Sequence, residues 1–223
     1  MVYSKLNPHT GTAYSCDADF LIYGFPNSIF GSSTWLIINA QNLNVFIIDP
    51  GSSTQPALIP FIVSQNLKPH SVFLTHEHFD HCLGVNPLAE HFSFKLIATK
   101  SCVENIAIPG RNHSLYYEGC EAFSINHPDT QIIVEETKLN LSGIQFLLVP
   151  TPGHTPGGMC ILTEHAAFTG DTILNNTPTP LKFHNSNKDH YRQSIDRLRA
   201  LFSDGMTIFP GHGEPFIYKT GMI

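Results

Sequence analysis

Charged side chains are scarce in this sequence, in which Lys, Arg, Asp and Glu together make up 13% of 223 residues, against about 25% in a typical soluble domain. The 12 basic residues are outnumbered by 18 acidic ones, so the formal net charge is −6. Proteins that bind the phosphates of nucleic acids need clustered lysine and arginine, and this composition therefore argues against a nucleic-acid partner. Apolar residues make up 42%, which excludes a disordered chain and predicts a compact one with an ample core.

Paired cysteines and long apolar runs are missing as well. The five cysteines form no Cys-x-x-Cys motif and are odd in number, which disfavours a disulfide framework and indicates a reducing compartment. The sequence has no apolar run of about 18 residues, the length a membrane helix needs, and residues 1–14 lack the features of a signal peptide. We therefore expect a cytoplasmic protein with no membrane partner, folded as a single domain over residues 1–223.

Short apolar runs alternate with helical patterns along the chain. Strands are predicted near residues 35–39, 45–48, 72–74, 94–98, 132–135, 144–149, 159–162, 166–168 and 207–209. Helices are predicted over residues 56–66, 86–91, 100–106 and 189–202. Residues 107–129 show no period and predict a long loop, of a length that is usually functional or disordered. Together these patterns predict a layered α/β or α+β fold.

Histidine is abundant, with 13 residues, and several histidines and aspartates stand directly after apolar runs. Five runs end in Gly- or Pro-containing turns that carry Asp49, residues 76–81, His154, Asp171 and His212. Strands that end at a common edge deliver their last residues to one place, where open sheets bind ligands. We therefore expect these side chains to meet.

The segment His-x-His-x-Asp-His at residues 76–81 is the most specific of these motifs. His76 and His78 point the same way on an extended backbone, and Asp80 and His81 follow at once. Imidazole nitrogen combined with carboxylate oxygen favours zinc, iron or manganese. Seven candidate ligands are enough for two ions if one carboxylate bridges them. These candidates are His76, His78, Asp80, His81, His154, Asp171 and His212.

With these motifs in order from about residue 30 to residue 215, the sequence resembles the metallo-β-lactamase superfamily. The resemblance rests on the 76–81 motif, on Thr-Pro-Gly-His at His154, on Thr-Gly-Asp-Thr at Asp171 and on Pro-Gly-His-Gly at His212. It implies a four-layer αββα sandwich of two mixed sheets flanked by helices. It also implies that His76, His78 and His154 hold one metal, that Asp80, His81 and His212 hold the other, and that Asp171 bridges them. Asp49 would orient a ligand, although an Asp-Pro-Gly sequence is also typical of a simple turn.

Aspartate at position 171 resembles the glyoxalase II branch of that family. The branch implies hydrolysis of a small-molecule acyl substrate, preferably a thioester, by a hydroxide held between two Zn²⁺ ions, with Fe or Mn as alternatives. Asp80 and Asp171 would be the catalytic carboxylates. Glyoxalase II carries an added C-terminal helical domain that helps to hold glutathione. This chain ends eleven residues after His212, so we expect the hydrolytic core without that domain.

Other functions remain open at this point. A lactonase or β-lactamase-type hydrolase would use the same centre, whereas a persulfide dioxygenase of the family binds a single iron through two His and one Asp. A nuclease would need a basic surface, which the composition does not provide. A catalytically silent metal protein is disfavoured because all seven candidate ligand residues are present.

Several further residues are candidates for substrate contact, with packing or solvent exposure as the alternative. They are His113, His127, His184, His190, Tyr116, Tyr117, Lys182 and Arg192. Glu77 and Phe79 alternate with the ligands and are predicted to face away from the metal centre, and Cys82 is predicted to be a small buried apolar residue. The sequence does not indicate the oligomeric state or the role of the loop at 107–129.

Overall fold

Two mixed β-sheets lie face to face in the computed structural model, which describes residues 12–15, 20–52 and 58–223. Within these residues the first sheet contains, in spatial order, β1 (Thr12–Ser15), β2 (Phe20–Pro26), β3 (Ser33–Asn39), β4 (Asn44–Ile48), β5 (Lys68–Phe73), β6 (Lys95–Thr99) and β7 (Thr130–Ile133). The second contains β8 (Thr137–Leu141), β9 (Ile144–Pro150), β10 (Met159–Leu162), β11 (Ala166–Gly170), β12 (Thr207–Pro210) and β13 (Phe216–Ile217).

Strand direction places the ends of several strands at the same edge. In the first sheet β1 to β4 pair antiparallel, and β4, β5, β6 and β7 pair parallel. In the second sheet β8 to β11 pair antiparallel, β11 and β12 pair parallel, and β12 and β13 pair antiparallel. Strands β4 and β5 therefore end at one edge of their sheet, and β9, β11 and β12 end at one edge of theirs.

Helices cover the outer faces of both sheets. The described helices are α1 (Leu58–Ser64), α2 (Phe79–Cys82), α3 (Val85–His91), α4 (Lys100–Ile106) and α5 (Lys188–Leu201). Apolar side chains of α1, α3 and α4 share one core cluster with the outer face of the first sheet. Those of α5, including Ile195 and Leu198, share another with the second sheet. None of the described helices is both long and apolar enough to cross a membrane.

The largest aromatic core lies between the two sheets. It includes Phe46 and Phe73 from the first sheet and Phe146, Phe168 and Phe209 from the second. Side chains of a strand alternate between faces, so Ile22 of β2 joins this inner core while Leu21 and Tyr23 join the core under the helices. The result is a helix–sheet–sheet–helix sandwich, and the predicted four-layer αββα order is confirmed.

Element boundaries differ from the predictions in a few places. Helix α3 begins at Val85, one residue before the predicted start, and the Asn86 side chain donates to the Ser124 carbonyl oxygen. The predicted helix 56–66 is seen from Leu58 to Ser64, and its residues 56–57 lie outside the described part of the chain. Strand β7 covers residues 130–133 rather than 132–135, and β1, β2, β8 and β13 were not predicted.

The predicted loop at 107–129 is irregular except for a short 3-10 turn at Ser114–Tyr116. The buried side chain of Asn112 organises this segment. Its Nδ2 donates to the carbonyl oxygens of Ile106, at 3.2 Å, and Phe123, at 2.9 Å. These bonds tie the middle of the segment to both of its ends.

Candidate metal centre

All seven predicted ligands come together where the strands end. Residues 76–81 follow β5, Asp171 directly follows β11, and His154 and His212 lie a few residues beyond β9 and β12. The two sheets are joined at this edge, because the Ser33 amide donates to the Gly211 carbonyl oxygen at 2.8 Å. The turn that carries His212 is therefore fixed against the first sheet.

Three buried histidines, His76, His78 and His154, form what we call the histidine cluster. One ring nitrogen from each lies within 4.8 Å of the others, and His154 Nε2 is 3.2 Å from His78 Nδ1. Such a distance suits either a hydrogen bond between the two rings or two nitrogen ligands of one cation. The three histidines are therefore close enough to share one cation.

Hydrogen bonds on the far side of the rings set their tautomers. The Thr75 hydroxyl donates to Asp49 Oδ2 at 2.5 Å, so it must accept from His76 Nδ1 at 3.1 Å. Likewise His154 Nδ1 donates to the Pro180 carbonyl oxygen at 2.8 Å. His76 and His154 therefore each turn the lone pair of Nε2 toward the cluster, as metal-binding histidines do, whereas His78 turns Nδ1 toward it.

Asp80, His81 and His212 form a second group, the mixed cluster, whose ligand atoms also lie within 4.8 Å of one another. His81 Nε2 is 3.3 Å from His212 Nε2, and His212 Nε2 is 3.4 Å from Asp80 Oδ2. On the far side, His212 Nδ1 donates to the Phe30 carbonyl oxygen at 3.2 Å. This cluster combines two imidazoles with one carboxylate.

Asp171 lies between the two clusters. Its Oδ2 is 3.5 Å from His154 Nε2 and 3.5 Å from His212 Nε2, and its Oδ1 is 3.6 Å from His81 Nε2. Glycine at position 211 makes this packing possible, since a Cβ there would overlap Asp171 Oδ1 and the His81 ring. The carboxylate is placed where a bridging ligand of two cations would lie.

Two buried polar atoms of this centre have no hydrogen-bond partner among the described residues, His76 Nε2 and Asp171 Oδ1. Buried donors and acceptors are nearly always paired, so both atoms are candidate ligands of a bound group. Imidazole nitrogen and carboxylate oxygen suit zinc, iron and manganese. The donor set therefore fits a divalent metal.

The electrostatics of the two clusters differ. Burial and the neighbouring histidines lower the pKa of both His76 and His78 well below the usual value. Burial opposes the charged forms of Asp80 and His81 too, but here the neighbours prevail. The carboxylates of Asp80 and Asp171 raise the pKa of His81 to about 10, and His81 with a hydrogen bond from His212 lowers the pKa of Asp80 to about 2.

Asp49 lies behind the ligands. Its Oδ2 accepts from His81 Nδ1 at 2.9 Å, and its Oδ1 accepts from the Thr75 amide at 2.7 Å. The residue has a positive φ of 51°, a conformation that Asp and Asn tolerate better than most residues. Its carboxylate thus orients His81 directly and His76 through Thr75.

Glu77, to which the sequence assigned no role, points away from the cavity and is buried. Asn105 Nδ2 and Thr155 Oγ1 each donate to its carboxylate at 2.8 Å. The residue therefore ties the 76–81 segment to the loop that carries His154. Its partners are 28 and 78 positions away in the chain, so no local sequence pattern predicts these contacts.

A cavity of about 530 Å³ opens beside the centre, with His78, Asp80, Asp171 and His212 in its lining. Three of the candidate contact residues, His113, Tyr116 and Tyr117, also line it, as does Phe79. The remaining candidates do not line it in the described part of the chain, namely His127, His184, His190, Lys182 and Arg192. Cys82 is buried, as predicted.

Comparisons with known proteins agree with this geometry. The model of the metallo-beta-lactamase superfamily matches residues 28–212. A hydroxyacylglutathione hydrolase from Shewanella halifaxensis is 30% identical over 178 residues, which cover 80% of this chain and 60% of that protein. The chain thus spans about three fifths of the length of that curated relative.

Two solved structures share the fold. The crystal structure of the BLEG-1 B3 metallo-beta-lactamase has a TM-score of 0.80 at 22% identity, covering 88% of this chain and 93% of its own. A protein crystallised in a di-iron-bound form has a TM-score of 0.72 at 21% identity, covering 85% and 91%. From its family match, its sandwich and its clustered His and Asp side chains, the chain belongs to the metallo-beta-lactamase superfamily, and the curated proteins similar to it include hydroxyacylglutathione hydrolases.

Proposed function

We propose that this chain is a metal-dependent hydrolase that binds two divalent cations, with zinc as the first choice, and cleaves a small acyl substrate such as a thioester. The observation that carries the proposal is the position of Asp171 between two complete ligand clusters, 3.5 Å from a histidine of each. A centre for one ion would need only four of the seven donors. Iron and manganese suit the same donors.

Two cations bound here would supply an ionised water near neutral pH and would polarise a substrate carbonyl. The protein's own contribution is orientation and charge. The carboxylates of Asp80 and Asp171 line the cavity, where they would balance the charge of the cations, and Asp80 would orient the attacking water. Asp49, Pro180 and Phe30 hold the ligand imidazoles in one tautomer.

The reaction proposed is addition of water to the acyl carbon. The water oxygen bonds to that carbon, the carbon–sulfur bond of the thioester breaks, and the released proton passes to the departing sulfur. The same centre would open a lactone or a β-lactam by breaking a carbon–oxygen or carbon–nitrogen bond. The preference for a thioester is supported by the likeness to a hydroxyacylglutathione hydrolase.

We also propose the location and the partners of the protein. It is a single-domain cytoplasmic enzyme that acts on a small molecule and binds neither nucleic acid nor membrane. The net charge of −6 supports the absence of a nucleic-acid partner.

Metal analysis combined with turnover tests the proposal. We expect two equivalents of metal per chain, thioester hydrolysis that chelation abolishes, and recovery when zinc, iron or manganese is restored. His165→Ala, at an exposed histidine away from the centre, is the matched control and should change neither quantity. One iron per chain, with sulfite formed from a persulfide, would contradict the hydrolase and favour a dioxygenase.

A further inference from the structure

The cavity beside the metal centre has two aromatic walls. The first wall is Phe30, Phe79 and Tyr117, whose ring centroids lie 5.0–5.7 Å apart in pairs. The second wall is His113, Tyr116 and Phe183, with centroid distances of 5.5 Å from His113 to Phe183 and 6.4 Å from His113 to Tyr116. All six line the cavity, and such spacings are those of aromatic pairs in contact.

Both walls reach the ligands of the two clusters. The Phe30 carbonyl oxygen accepts from Nδ1 of His212, so the first wall begins at the mixed cluster. The Phe183 ring lies 5.0 Å from the His78 ring and 5.5 Å from the His154 ring, so the second wall begins at the histidine cluster. A group held between the walls would therefore place its attached carbonyl at the centre.

The mouth of the cavity leaves large apolar surface in water. Phe30 is 62% exposed, Tyr116 73% and Phe183 41%. Apolar side chains gathered at a cleft, rather than scattered singly, are typical of a binding surface. An apolar ligand would cover them and gain the free energy of removing both surfaces from water.

Among the described residues, the lining of the cavity includes no lysine and no arginine. Lys182 directly precedes Phe183 but is not part of the lining. The titratable groups of the lining are His113, the tyrosines, and the carboxylates and histidines of the metal centre. A substrate carboxylate held along the walls, away from the cations proposed at the centre, would lose its hydration without finding a lysine or an arginine.

We infer that the acyl group this site accepts is uncharged and apolar, with an aromatic ring as its best occupant, and that glutathione thioesters are poor substrates. The inference rests on the proposed hydrolase and narrows its substrate class. The walls offer faces and edges to a ring, and the cavity of about 530 Å³ lies within the usual range for small-molecule sites, roughly 300–1,000 Å³.

Matched thioesters of N-acetylcysteamine, a neutral thiol, test this with the metal-loaded full chain. We expect kcat/KM for the phenylacetyl thioester to exceed that for the 4-carboxyphenylacetyl thioester by at least about tenfold, since an unpaired charge in the walls costs far more than one methylene. S-lactoylglutathione should be as poor a substrate as the carboxylated compound. Equal or better turnover of either charged substrate would overturn the inference and leave the hydrolase intact.

Two wall variants sharpen the test. Phe183→Ala should reduce the preference for the phenylacetyl compound about tenfold, and Tyr116→Arg should raise the relative rate on the 4-carboxyphenylacetyl compound by a similar factor by supplying the missing cation. Val63→Ala, at an exposed apolar residue on α1, is the control and should leave both rates unchanged. Wild-type ratios in both wall variants would overturn the inference.

The thioether S-(2-phenylethyl)-N-acetylcysteamine separates the proposed hydrolase activity from the inferred apolar site. This compound lacks the reactive carbonyl, so it can bind but cannot be hydrolysed. If no thioester is cleaved but calorimetry shows binding that Phe183→Ala weakens, the hydrolase is wrong and the apolar site stands. If no thioester is cleaved and the thioether does not bind, both are wrong.

Discussion

The histidine cluster and the mixed cluster have the same number of donors but opposite electrostatics. His76, His78 and His154 have lowered pKa values, chiefly because burial disfavours their charged forms. In the mixed cluster, the carboxylates outweigh burial and raise the pKa of His81 to about 10. Near neutral pH the first cluster therefore presents free lone pairs, whereas the second holds a proton that a metal must displace. Carboxylates that raise the metal affinity of a site therefore also raise the proton affinity of its histidines, and the proton competes with the metal.

Removing the carboxylate between the clusters should have the largest effect. Asp171→Ala should lower the metal content toward one equivalent and reduce turnover by about 10³-fold, because a bridged pair contributes several kcal/mol of charge stabilisation. Asp189→Ala, at an exposed carboxylate of α5, should change neither. Two equivalents and an unchanged rate in Asp171→Ala would show that the clusters do not share this residue.

Asp49→Asn should affect the clusters unequally. The substitution keeps the size of the residue and tolerates its positive φ, but it removes the charge that faces His81 Nδ1. Loss of such an orienting partner typically costs 10–100-fold in metal affinity. We expect that loss at the mixed cluster in a metal titration, with the histidine cluster as the internal control. Equal weakening of both sites would mean that Asp49 acts through Thr75 and His76 as much as through His81.

The pH dependence of metal binding should also distinguish the clusters. Because the pKa of His81 is about 10 in the metal-free centre, a cation entering the mixed cluster releases that proton at any lower pH. Its affinity should therefore rise about tenfold per pH unit between pH 7 and 9. Affinity at the histidine cluster should stay level there, since its imidazoles are already neutral. A pH indicator in weakly buffered solution measures the proton release. If metal affinity rose equally steeply with pH at both clusters, the proposed difference in their protonation would be wrong.

Glu77→Gln should give the smallest effect. Both oxygens of the Glu77 carboxylate accept hydrogen bonds, and an amide nitrogen would face one of those donors. Leaving a buried donor unpaired costs about 1–3 kcal/mol, which thermal unfolding would detect as a lower Tm. Glu104→Gln, at an exposed carboxylate, should change stability by no more than about 0.5 kcal/mol. An unchanged Tm in Glu77→Gln would mean that the hydrogen bonds between the 76–81 segment and the His154 loop do not contribute to stability.

The sequence was most informative where the chemistry is local. Residues 76–81 carry four of the candidate ligands in six positions, and the turns after β4, β9, β11 and β12 could be predicted from the apolar runs before them. The four-layer order came from the family resemblance, since strand patterns alone do not fix how sheets stack.

The misses have physical causes. Strand β8 alternates half-buried Thr137, Leu139 and Leu141 with exposed Lys138 and Asn140, and it lacks a continuous apolar run. The apolar run of strand β2 is broken by Gly24, where a Cβ would overlap the Trp35 ring, and the need for glycine there becomes visible only when β3 packs beside it. Phe30 and Phe183 of the aromatic walls were missed and Phe79 was predicted to face away, because contacts between positions so far apart in the chain leave no periodic signal.

Anomalous diffraction from crystals of the zinc-loaded protein tests the central claim most directly. We expect two zinc peaks roughly 3.5–4 Å apart, one within the histidine cluster and one within the mixed cluster, with the Asp171 carboxylate bound to both zinc ions. A single peak, or a second peak outside the mixed cluster, would contradict it.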